Sequence, residues 1–261
     1  MPDGARHPAS VGAAAMVYVA DLDRPVPADD DAHHLIRVLR LRPGEPVVAG
    51  DGQGGWRLCR YRGTPRGSDG GPVPGLLEVD GPVTVVPRFA PEVTVGFVPA
   101  KGDRPEWVVQ KLTEAGVDRI GVLRSVRAVV RWDGDRGVRS VDRLRRVARE
   151  AASQSRSPWL PELVGVLDLA GLAQLVAPAP LALAHPGGDP PSVAMPALAV
   201  GPEGGWDDSE LAPAGFPVVG LGPGILRAET AAVASGLLLC ALRNGLVSEA
   251  RRPPPGPPPD R

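Results

Sequence analysis

Two short glycine-rich segments in the last quarter of the chain constrain its fold more than any other feature. They are Val200-Gly201-Pro202-Glu203-Gly204-Gly205-Trp206 and Leu221-Gly222-Pro223-Gly224-Ile225-Leu226-Arg227-Ala228-Glu229-Thr230-Ala231. Each follows an apolar run that reads as a strand, 197–200 and 216–219, and each opens into a helix. After the first, Asp207 and Glu210 have the spacing of an N-cap and its capping-box partner. Glycine lets the backbone adopt φ > 0 and leaves its N–H groups open to a ligand. Two such loops at the carboxyl ends of neighbouring strands frame one crevice, which is where open α/β sheets place ligands. Either loop alone would be an ordinary turn, and neither is a G-x-x-x-x-G-K-[ST] or G-x-G-x-x-G nucleotide loop. The pair is set apart by Glu203, Arg227, Glu229 and Thr230, polar groups held beside Ile225 and Leu226.

The pattern around these loops divides the chain. Residues 1 to about 15 are small and polar and read as loose. Short strands follow at 16–19, 46–49, 56–61 and 76–79, with a helix over about 30–39. Asp51-Gly52-Gln53-Gly54-Gly55 is a hairpin turn, and 64–74 is a flexible Gly- and Pro-rich excursion. The physical reading of this part is a small β-barrel. Residues 86–92, with Pro87 and Pro91, form a linker. Beyond it, strands at 93–98, 119–123, 181–184 and 197–200 alternate with helices at 104–115, 141–153 and 167–176. That alternation implies an α/β domain on a largely parallel sheet. The divisions are therefore 1–86, 87–248 and a disordered Pro-rich tail, 249–261. The last helix, 229–243, has almost no polar face, so it must be covered all round, by its own domain or by a second subunit.

A net charge of −1 excludes a protein coated in positive charge, so any nucleic-acid contact must come from a local patch. Arg37, Arg40 and Arg42 beside His33 and His34 form one candidate. Arg139, Arg143 and Arg146 recur along one helical face, opposite Val141, Leu144 and Ala148, and read as a solvated surface. Cys59 and Cys240 fit no zinc or redox spacing and read as buried free thiols. No run reaches membrane-spanning length and no export signal opens the chain, so a cytoplasmic protein with no membrane partner is expected.

The two loops, in this order and at this spacing, resemble the RsmE-type family of small-subunit ribosomal RNA uridine-N3 methyltransferases, in the SPOUT superfamily. That family carries a G-P-E-G-G-[aromatic] loop and a later L-G-x-x-I-L-R-x-E-T-A loop. Three further stretches match: His33-His34-Leu35-Ile36-Arg37-Val38-Leu39-Arg40-Leu41-Arg42-Pro43-Gly44; Lys101-Gly102-Asp103-Arg104 with 110–117; and 151–158, which holds Gln154-Ser155-Arg156. The chain departs at Gly224, where the family often has arginine, at Ala115, where leucine is usual, and at Ser153, where glutamate is common.

The resemblance implies an α/β-knot methyltransferase domain, its trefoil knot threaded through the glycine loops, behind a PUA-like RNA-binding β-barrel. It implies a homodimer paired through the last helix, S-adenosyl-L-methionine as methyl donor with no metal, and methylation of N3 of a specific uridine in 16S rRNA of the small ribosomal subunit. Cofactor contacts are implied at Val200, Gly201, Pro202, Glu203, Gly204, Gly205, Leu221, Gly222, Ile225, Leu226 and Thr230. RNA contacts are implied at His33, His34, Arg37, Arg40, Arg42, Lys101 and Arg156. Arg227 is the candidate cation for a uracil ring that gains negative charge; Glu203 and Glu229 would orient it or touch donor or base. His185, just past the strand at 181–184, reads as a loop residue. An inactive RNA-binding homologue and a SPOUT enzyme acting on another RNA remain alternatives.

Overall fold

In the computed structural model, which describes residues 7–63, 75–211 and 215–249, the strands assort into two sheets. The first holds β1 (Ala15–Tyr18), β2 (Pro46–Gly50), β3 (Gly55–Tyr61), β4 (Leu77–Val79) and β5 (Thr84–Val85). β1 runs parallel to β2, and β2 and β3 form the expected hairpin. Both β4 and β5 pair with β3, on Cys59–Tyr61 and Gly55–Trp56 respectively. The Asp51 carboxylate closes the hairpin turn by accepting from the Gln53 and Gly55 amides at 2.6 and 2.9 Å. Gly52 and Gly54 supply the left-handed backbone, at φ 73° and 95°. Leu35, Val47, Ala49 and Cys59 fill the core of this part.

Two local expectations need correction. The helix near 30–39 is α1 (Asp29–His33) running on into a π-helical turn, His34–Val38. The N-terminal stretch is ordered from His7 onward: Pro8–Ser10 form a 3-10 turn and Ala13 is buried. The excursion at 64–74 and the tail beyond 249 lie outside the described residues.

The second sheet is built from β6 (Thr94–Phe97), β7 (Arg119–Leu123), β8 (Glu162–Leu167), β9 (Leu181–Asp189), β10 (Ala197–Val200) and β11 (Val218–Val219). Its order is β11-β9-β10-β6-β7-β8, and every pairing is parallel. Parallel strands are covered on both faces, which is why 197–200 has no polar residue. The connecting helices are α2 (Arg104–Ala115), α3 (Gly134–Ser155), α4 (Leu169–Val176), the single turn α5 (Asp208–Leu211) and α6 (Ala228–Arg243). α3 begins at Gly134, before the expected 141; its first turns carry no apolar stripe that would mark them in the sequence. Gly137 is nevertheless buried there, and a Cβ on it would fall 2.5 Å from the Trp132 carbonyl oxygen.

α6 buries Ala232, Ser235, Gly236, Leu239 and Cys240, one continuous face. A Cβ at Gly236 would collide with Leu112 and Val117, so glycine sets the close approach of α6 to α2. The far end of α6 is fixed by an ion pair between Arg243 and Asp118, whose side chains are 4% and 7% exposed. Asp118 also accepts from the Val93 amide at 2.8 Å, and Arg243 donates to the Gly116 carbonyl at 2.9 Å. The opposite side of α6 leaves Leu237 51% exposed. Both cysteines are buried free thiols, and burial pushes each up to about 11. Among the described residues, no helix is long and apolar enough to cross a membrane.

The two sheets meet along α3. Ala13, Met16, Tyr18, Trp56, Val86 and Ala152 share one buried cluster. Tyr18 Oη donates to the Ser157 carbonyl at 2.7 Å, and Trp159 Nε1 to the Val86 carbonyl at 3.0 Å. Arg149 donates to the Tyr18 carbonyl at 2.8 Å and pairs with Asp31 at 2.6 Å. Desolvation holds the Tyr18 phenol above its ordinary range.

Asp118→Ala strands the Arg243 guanidinium in a buried site. Chemical denaturation is expected to show a loss of about 3–5 kcal/mol; wild-type stability would show that the pair holds nothing.

Candidate active site

The parallel order sets the carboxyl ends of β9, β10 and β11 side by side, and a cleft of about 840 Å³ opens there. The first glycine loop lines it with Val200, Gly201, Pro202, Glu203, Gly205 and Trp206. The second contributes Leu221, Gly222, Gly224, Ile225, Leu226 and Arg227. Of the residues expected to hold a cofactor, only Gly204 and Thr230 lie off the lining.

Glycine is required at particular positions. Gly205 and Gly222 take φ of 72° and 150°, where side chains are strained. Gly201 lies beneath Trp206, and a Cβ on it would fall 2.9 Å from the indole Nε1. Gly204 has no such constraint, since a Cβ there meets only Arg127 at 3.6 Å. The capping box forms as the spacing predicts: Asp207 accepts from the Ser209 amide at 3.1 Å, and Glu210 from the Asp207 amide at 2.9 Å. Hydrogen bonds from Ser209, with Arg127 close by, hold the Asp207 carboxyl below its usual range.

The cleft wall carries features that a ligand would complete. Ile225 is 90% exposed, although its side chain is wholly apolar. Trp206 Nε1 is buried with no hydrogen-bond partner. Arg227 is the N-cap of α6, with extended backbone at φ −66° and ψ 154°. Its side chain is exposed and has no ion pair or hydrogen bond among the described residues.

The carboxylates expected to orient Arg227 have another partner. Arg104, the first residue of α2, lies 3.8 Å from Glu203 and 3.6 Å from Glu229. It therefore links the first loop to the start of α6. Glu229 does not line the cleft, and its Oε2 is buried without a hydrogen-bond partner. Arg104 stands in the matched stretch 101–104 but received no role from sequence; only its position at the start of α2, after β6, pointed to this edge. His185, expected in a loop past 181–184, instead lies within β9, which continues to Asp189 through Pro186, Gly187 and Gly188, and it lines the cleft wall.

The residues expected to meet RNA separate into groups. His33, His34, Arg37, Arg40 and Arg42 are all exposed beside the first sheet, and none of their side chains has a partner among the described residues. Lys101 is exposed in the turn between β6 and α2, at the same sheet edge as the cleft. Arg156 stands apart. It ends α3 at φ 55°, and its guanidinium donates to the Ala13 carbonyl between the two sheets. Among the described residues, no group of three or more His, Cys, Asp or Glu side chains could hold a metal ion.

The family model for the RNA methyltransferase domain matches residues 88–239, and that for the RNA methyltransferase PUA domain matches residues 27–68. The chain belongs to the RNA methyltransferase family. Ribosomal RNA small subunit methyltransferase E of Mycobacterium bovis is 37% identical to this RNA methyltransferase over 218 residues, covering 78% of this chain and 80% of its own. The crystal structure of a probable rRNA-methyltransferase from Porphyromonas gingivalis matches with a TM-score of 0.72 at 25% identity, covering 89% of this chain and all of that one. A ribosomal RNA small subunit methyltransferase E from Neisseria gonorrhoeae, bound to S-adenosyl methionine, shares the fold with a TM-score of 0.70 at 24% identity, covering 87% and 97% of the two chains.

Gly205→Val places a β-branched residue in the left-handed region and is expected to cost about 1–2 kcal/mol. Gly204→Ala is expected to cost under about 0.5 kcal/mol. Equal melting temperatures for the two variants would refute this assignment of strain.

Proposed function

We propose that this RNA methyltransferase transfers a methyl group from S-adenosylmethionine to N3 of one uridine in 16S ribosomal RNA of the small ribosomal subunit. The observation that carries this reading is the cleft between two glycine loops with an unpaired Arg227 on its wall. The likeness to ribosomal RNA small subunit methyltransferase E supports the substrate, and the loop motifs support the uridine N3.

The residues present fit the donor. Leu221, Ile225 and Leu226 offer apolar surface to an adenine ring, and the unpartnered Trp206 indole offers a hydrogen-bond donor. Gly205 and Gly222 leave backbone bare of side chains where a ligand approaches. When bound, S-adenosylmethionine supplies a methyl group on a sulfonium centre, open to in-line displacement. Much of the protein's contribution is to align the uridine with it. N3 becomes a good nucleophile as its proton leaves, and negative charge then spreads over the uracil ring. Arg227 is placed to stabilise that charge, with a planar fork that lysine lacks. Glu203 and Glu229, joined through Arg104, fix the two sides of the cleft relative to each other.

The wider assignments follow from the same reading. Residues 1–86 act as a PUA-like barrel that grips RNA through His33, His34, Arg37, Arg40 and Arg42, with Lys101 at the edge of the cleft. Residues 87–248 form the SPOUT catalytic unit, with a trefoil knot threaded through the two glycine loops. The protein acts in the cytoplasm as a homodimer through the open side of α6 around Leu237, Leu238 and Leu242. Sedimentation at micromolar concentration is expected to give a dimer; a monomer would exclude that pairing.

With small subunits as substrate and saturating donor, Arg227→Ala and Arg227→Lys are both expected to lower kcat at least ~100-fold. Donor affinity, read by calorimetry, should change far less. Normal turnover by Arg227→Ala at saturating donor would remove Arg227 from the chemistry.

A further inference from the structure

A second crevice, of about 420 Å³, opens further along the same sheet edge, at the carboxyl ends of β7 and β8. Its size falls within the range of small-molecule sites. One wall is shared with the donor cleft through α5: Glu210 lines the crevice and Leu211 lines the cleft. Glu210 accepts from Ser125 Oγ at 3.0 Å and from the Val126 amide at 3.2 Å. Arg127 donates to the Gly204 carbonyl at 3.3 Å and pairs with Asp207 at 3.2 Å. The segment after β7 is thus tied directly to the first glycine loop.

The groups around this crevice divide into engaged and available. The carboxylates of Glu210 and Asp168 are engaged, the latter by the Gly171 amide at 2.8 Å and by Arg124 at 3.0 Å. Arg131 and Asp133 are exposed and have no side-chain partner among the described residues. Trp132 is half-buried in the lining, and Val126 beside it is 59% exposed. An aromatic ring, an exposed aliphatic side chain, an unpaired carboxylate and an unpaired guanidinium match the parts of one unstacked nucleotide. Its base has apolar faces and hydrogen-bonding edges, and its phosphate is anionic.

We propose that this crevice seats an unpaired nucleotide of the RNA substrate, close along the strand to the base that is methylated. The base lies against Trp132 and Val126, and Arg131 meets a phosphate. The inference rests on the reading of the protein as an RNA methyltransferase whose target base enters the donor cleft. The spacing is suitable: β6 alone separates β10 from β7, so the nearest strands of the two sites stand roughly 10 Å apart in the sheet direction.

The test uses the full chain and 16S ribosomal RNA carrying 4-thiouridine. Irradiation is expected to cross-link RNA to the segment 124–133, besides the donor cleft. Arg131→Glu and Trp132→Leu should each weaken RNA binding at least ~10-fold, and Trp132→Phe should restore it to within ~3-fold, because stacking needs the ring. Donor affinity should stay within ~2-fold of wild type in all three, which also reports that they are folded. Wild-type RNA binding by Arg131→Glu, or no cross-link within 124–133, overturns the proposal. So does a variant that loses self-association while keeping RNA affinity, since the crevice would then be a contact between copies. If wild-type protein binds the donor but neither binds nor methylates ribosomal RNA, the substrate reading itself has failed, a result distinct from the others.

Discussion

The site exists because β10 lies parallel between β9 and β6. Val200 pairs with Phe97 and Ala199 with Leu183, so these strands finish at one edge and release their loops into shared space. Leu198, Ala182 and Val95 are completely buried and pair side by side, so the three strands share one core beneath the edge. α4 packs directly on β6 because Gly96 has no side chain; a Cβ there would fall 2.5 Å from Leu172 Cδ2. Across the open edge, Arg104 lies within ion-pair distance of both Glu203 and Glu229. The sheet brings the loops together and this arginine bridges them.

Much of this was legible in the sequence because it is local. The spans 104–115, 119–123 and 197–200 coincide with α2, β7 and β10, each a run whose burial pattern is complete within itself. The glycine loops announced a crevice through residue types that only special backbone or ligand contact requires. β5, two residues long, and β8, an edge strand only partly buried, carried too little apolar signal to be read. The glycine most in need of its conformation proved to be Gly205 rather than its neighbour Gly204, because φ is not written in residue identity.

Charge partners were the least legible feature, since they are set by tertiary approach. Arg149 and Arg156 sit on the same helix end, and both are engaged by backbone carbonyls of the first sheet region. Arg57 is similarly drawn in by the Leu22 and Gly81 carbonyls and by Asp23. Arg227, Arg37, Arg40 and Arg42 remain exposed without such partners among the described residues. A net charge of −1 therefore conceals a division between arginines that fasten the structure and arginines left open to an anionic substrate.

The central claim is that the two glycine loops together form the methyl-donor site, and backbone amide shifts during titration with S-adenosylmethionine test it most directly. The account predicts saturable shifts concentrated at the non-proline amides of 200–206 and 221–228, with those of 33–42 unmoved. Shifts absent from both loops, or centred on 33–42, would contradict it.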